Sequence, residues 1–193
     1  MIRYLLSVLV LLALAFVLRQ FVPVIPDFHH ARIFLVPLVF LCVSVTLNVS
    51  GMLLLSFVCG LLWDAQHTIL PAGGDPGIYL EQVETLRFGY SILLFAFAGF
   101  VMHGVQPVFR EGKWQLSTLV TGVALFLYLL AELLLLSFVR GRLVLSASTF
   151  SFILYSSLLT MLLSPFVFYL LFKLADLFDY RIRYDGLRKG RRR

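Results

Sequence analysis

Few side chains in this sequence are equipped for chemistry, and most of those sit inside apolar runs. Glu132 stands out. It lies in the apolar run 115–138, on one helical face with Ala124 and Tyr128. Six residues, or ~9 Å of helix, separate it from the end of that run. A charge at the membrane centre costs about 2.5–3.5 kcal/mol, so an acid in such a run is functional, protonated, or matched to a polar partner. His103 is the matching partner in kind, but it falls toward the other end of its own run, which argues against a direct pair. Ser56, Gly60 and Asp64 recur every four residues and share a face where another helix backbone can come close. Asp64, next to Trp63, reads either as an interfacial carboxylate that stops a helix or as a packing or partner residue.

The remaining candidates are weaker. Asp27, His29 and His30 have no further ligand at useful spacing and read as solvated rather than as a metal site. Cys42 and Cys59 sit in apolar runs and read as small buried hydrophobes. No Gly-x-Ser-x-Gly occurs. Neither does His-Glu-x-x-His or a phosphate loop. No catalytic residue, metal or cofactor is therefore expected.

These residues need elements to hold them, and the composition says which kind. Of the 193 residues, 61% are hydrophobic and 13% charged, with a mean hydropathy of +0.96. Soluble domains carry about 45–50% apolar and about 25% charged residues. The expected fold is an all-α integral membrane protein, a bundle of about six transmembrane helices over residues 1–179. Spans are expected near 4–22, 33–47, 52–64, 88–109, 115–138 and 150–172. Pro23 and Pro26 end the first. A turn at 48–51 joins the second and third, both short, as a hairpin or a re-entrant pair. Residues 65–87 form the longest polar stretch, with Glu81 and Glu84 on a short surface helix. The last helix is expected to run on over 173–180 along the membrane surface.

The net charge of +6 belongs to the tail, 180–193. Arg181, Arg183, Arg188, Lys189, Arg191, Arg192 and Arg193 face a single acid, Asp185. Following a membrane span, they suit anionic lipids, at ~1 kcal/mol per basic residue near the surface, or a cytoplasmic partner. No nucleic acid is expected. With both termini inside, eleven Lys/Arg fall on that side and five on the other. Without the tail's seven the count is four to five, so the tail alone orients the chain.

Three stretches together resemble the MreD family of rod shape-determining proteins. A proline-containing loop precedes Ala31-Arg32-Ile33-Phe34-Leu35-Val36-Pro37-Leu38. The third run ends Gly60-Leu61-Leu62-Trp63-Asp64, the sharpest element being Gly-Leu-x-x-Asp. The last run carries Leu163-Ser164-Pro165-Phe166-Val167 and closes on a basic end. The resemblance implies a non-enzymatic, multi-pass component of the bacterial inner membrane, supporting peptidoglycan synthesis during cell elongation. It would bind the membrane-anchored protein MreC, beside MreB, RodA and its transpeptidase. It also implies a fold similar to the substrate-binding components of energy-coupling vitamin transporters. The alternative is a small-molecule-binding membrane subunit of a transporter, built around Asp64 or Glu132. On the first reading Ser56, Gly60, Asp64, Tyr128 and Glu132 serve packing or partner binding, and on neither are they catalytic.

Overall fold

The computed structural model describes residues 2–23, 31–68, 89–109, 114–140 and 147–180. Every multi-residue element among them is helical: α1 (Ile2–Leu18, extended by a 3-10 turn, Arg19–Phe21), α2 (Leu35–Thr46), α3 (Val49–Thr68), α4 (Tyr90–Phe109), α5 (Trp114–Arg140), α6 (Ala147–Met161) and α7 (Ser164–Leu177). In lipid, each backbone N–H and C=O must be satisfied internally, which is why apolar runs fold as helices. Among the described residues, four helices are long and apolar enough to cross a membrane: Arg3–Phe21, Val49–Gln66, Tyr90–Phe109 and Trp114–Phe138. The pair α6 and α7 makes a fifth if its bend of 41° is one broken span.

Chain breaks have local causes. Val22 is extended at φ −79°, ψ 115°, as expected of a residue before proline. Pro165 stands in the first turn of α7. Its ring conflicts with the carbonyl of Met161, four residues back, so the expected single span 150–172 is broken there. α3 runs beyond the expected 52–64 at both ends. Its start takes in Val49, Ser50 and Gly51, which had read as a turn, and the real break is Leu47 and Asn48. Its C-terminal end stays helical past Asp64 because Asp64 and Gln66 both find partners within the protein. Twenty residues remove any need for a thinned bilayer around α3.

The short element is α2. Twelve residues cover ~18 Å, well under a ~30 Å hydrocarbon core. It is buried from Val36 through Thr46, hence apolar on every side. It packs mainly on α4 and α1 rather than on α3, so the expected tight α2–α3 hairpin is not how it is held. Distant side chains satisfy the backbone at both of its ends. At its C-terminal end, Gln106 Nε2 donates to Val45 O (2.6 Å) and the Tyr180 hydroxyl to Thr46 O (3.2 Å). Before its start the chain is extended. There the N–H groups of Arg32 and Phe34 donate to Ser156 Oγ and Thr160 Oγ1 of α6, each at 3.1 Å. Alternate residues of an extended segment and every fourth residue of a helix repeat at similar distances, so the two rows match.

α7 runs on through Lys173 to Leu177, three residues short of the expected end, and Tyr180 folds back to stack on Tyr4, with ring centroids 4.3 Å apart and planes 7° from parallel. The Tyr4 hydroxyl donates to Thr46 Oγ1 at 2.9 Å. The start of α1 and the ends of α2 and α7 thus meet at one end of the bundle. The ends of α1 and α3 and the start of α4 meet at the other, linked by an edge-to-face Phe16–Trp63 contact at 6.4 Å.

Candidate functional site

The face Ser56, Gly60, Asp64 is occupied from within. All three are buried, and α4 covers them in the most extensive helix pair of the bundle. A Cβ added at Gly60 would fall on the Ile92 backbone, so glycine is what lets α4 come this close. One turn on, Asp64 Oδ2 accepts the Gly89 N–H at 2.6 Å. Gly89 sits at φ +100°, the left-handed region, immediately before α4. A carboxylate there caps an orphan amide and meets the positive end of the helix dipole. Gly60 and Asp64 both engage the opening turn of α4, and the Gly-Leu-x-x-Asp pattern is the joint between α3 and α4.

Glu132 stands beside that joint. It accepts a hydrogen bond from the Trp63 side chain and feels the charge of Arg19. The Arg19 guanidinium lies 4.0 Å from the Trp63 ring centroid and donates to Gln66 Oε1 at 3.3 Å. Tyr128, one turn before Glu132, is buried, and its hydroxyl has no hydrogen-bond partner among the described residues. Arg19, Trp63 and Glu132 line a cavity of about 360 Å³, together with Arg32, Phe34 and Phe152. It collects the end of α1, the lead-in to α2, the end of α3, the middle of α5 and the first turns of α6. Charged groups here can hold one another or an ion; no metal-ligating group of three His, Cys, Asp or Glu occurs among the described residues.

The structure separates other candidates. His103 is buried one turn before Gln106, near the α2 C-terminus, and is not brought to Glu132. Its Nδ1 has no hydrogen-bond partner among the described residues. Cys42 and Cys59 are buried free thiols. Asp27, His29, His30, the loop with Glu81 and Glu84, and the basic residues Arg181, Arg183, Arg188, Lys189, Arg191, Arg192 and Arg193 lie outside the described residues. Sequence reasoning missed Arg19 and Trp63 as partners of Glu132, and Arg32 as a neighbour in the lining of the same cavity. The available signal was an arginine interrupting the end of an apolar run. It also passed over Ser156, Thr160 and Ser164, whose every-fourth spacing marks one polar face on an apolar helix.

Fold and site together define a multi-pass, all-helical membrane protein with a charged cluster at one end of its bundle. Comparison of the chain with protein-family models, curated proteins and solved structures found no match.

Proposed function

We propose that this protein is a non-enzymatic assembly component of the bacterial inner membrane, acting as MreD-like proteins do in the cell-elongation machinery. The observation carrying this reading is a groove of about 310 Å³ between α4 and α5. Its walls are apolar, with Phe97 and Leu127 exposed at the rim and Ala98, Ala124 and Ala131 along its length. Small residues beside large exposed ones are how one membrane helix receives another. The occupant is the single transmembrane helix of an MreC-type partner, with MreB, RodA and its transpeptidase in the wider assembly. Peptidoglycan synthesis during elongation is the process it supports.

On this reading the chain crosses six times. α2 and its extended lead-in over 32–34 together cover about 28 Å, close to a hydrocarbon core. An extended stretch at that depth is tolerated because protein hydroxyls satisfy its amides. Both termini are then cytoplasmic, the basic tail lies on anionic lipid, and the Arg19–Glu132 cavity opens on the opposite side. Affinity purification from native membranes tests the proposal. An MreC-type protein co-purifies with the natural chain and is lost when Ala98→Leu and Ala124→Leu fill the groove. Unchanged rod shape after depletion would sink it.

One observation favours a second reading, a small-molecule-binding subunit of a transporter: the charged, aromatic-walled cavity around Glu132. That reading requires co-purification with an ATPase module.

A further inference from the structure

We infer that the cavity at the Arg19 end of the bundle binds an anionic headgroup, a phosphodiester or carboxylate attached to an apolar body. Its charges do not balance. Two guanidiniums, Arg19 and Arg32, and one carboxylate, Glu132, line it. Arg19 is already engaged by Trp63, Gln66 and the charge of Glu132. Arg32 is exposed in the same cavity and has no ion pair among the described residues. Two guanidiniums against one carboxylate leave an excess of N–H donors in the cavity, which the oxygens of an anion would take up. Guanidinium forks match the oxygen pairs of phosphates and carboxylates.

The walls suit the rest of such a ligand. Phe34 and Phe152 meet edge to face with ring centroids 6.4 Å apart, and Trp63 lines the same cavity. The volume of about 360 Å³ falls within the roughly 300–1,000 Å³ of small-molecule sites. The site is also held in place before anything binds. The backbone on either side of the Arg32 side chain is tied to α6 through Ser156 and Thr160. Arg19 is fixed over an indole. Groups so positioned lose little freedom on binding. This site is separate from the α4–α5 groove and gives the second reading a ligand class without resting on it.

The test uses the full chain in detergent with Trp114→Phe, which leaves Trp63 as the sole tryptophan. The probes are short-chain phosphatidylglycerol, phosphatidylcholine with the same chains, and inorganic phosphate. Trp63 emission changes saturably with phosphatidylglycerol and not with phosphatidylcholine, and added salt weakens the response of this otherwise unaltered chain. Arg32→Gln weakens binding by about tenfold or more, the loss of one charge-assisted contact. Arg32→Lys restores part of it. A response confined to the lipid assigns the site to a membrane headgroup; an equal response to inorganic phosphate assigns it to a soluble anion. No saturable response to either probe overturns the proposal, as does one indifferent to salt or to Arg32→Gln. The salt arm holds even if a variant fails to fold.

Discussion

Gly60 and Asp64 show how much two residues can decide. Both were legible in the sequence as one face of one helix. What covers that face was not legible, because spacing reports which residues align and says nothing of what aligns against them. With α4 seated there, Gly60→Leu pushes a side chain into the Ile92 backbone. It destabilises the protein by about 1–3 kcal/mol or more, read as a lower melting temperature in detergent. Asp64→Ala costs about 1 kcal/mol as a lost cap, while Asp64→Asn keeps an acceptor and costs less. Because both residues hold the same turn of α4, the double variant falls short of the sum of the two. Additive losses would show that the contacts are independent. Trp63 carries a different lesson. Noted in the sequence only as the neighbour of Asp64, it is buried, bonded to Glu132 and covered by Arg19. Glu132 was recognisable as anomalous from its surroundings in sequence, but its partners come from α1 and α3, more than sixty residues away.

Among the elements, α1, α4 and α5 were readable almost to their ends, since length and hydropathy suffice for a helix that crosses alone. α2 and the α6–α7 pair were not, because their shape depends on each other. The hydroxyl face of α6 gives the test. Thr160→Val keeps the shape but leaves the Phe34 N–H unsatisfied, at a cost of about 1–3 kcal/mol. Ser164→Ala removes a buried hydroxyl that has no partner among the described residues and is close to neutral. Thermal unfolding of the two variants side by side distinguishes them; equal losses would refute a specific role for the Thr160 contact. Tyr180→Phe deletes one hydrogen bond to the α2 terminus and costs about 0.5–1.5 kcal/mol. Tyr180→Ala also loses the stack on Tyr4 and costs more.

Across the whole molecule, the Tyr4–Tyr180 contact fixes where the basic tail begins, at the end of the bundle opposite the Arg19–Glu132 cavity. In nanodiscs, tryptic cleavage of the tail is slow over anionic lipid and fast over neutral lipid. At about 1 M salt the difference disappears, since screening then acts within ~3 Å. Equal rates in both lipids would remove the membrane-bound tail from the picture. The lead-in to α2 has one more consequence, for how the chain is made. Arg32 and Phe34 leave the ribosome more than a hundred residues before Ser156 and Thr160, their hydrogen-bond acceptors. On the proposed six-crossing topology, this stretch has no stable place in hydrocarbon until α6 arrives. The N-terminal third therefore inserts incompletely and is finished from behind: a nascent chain stopped at residue 146 leaves Ile33→Cys open to water-borne thiol reagents, and a chain released at full length closes it.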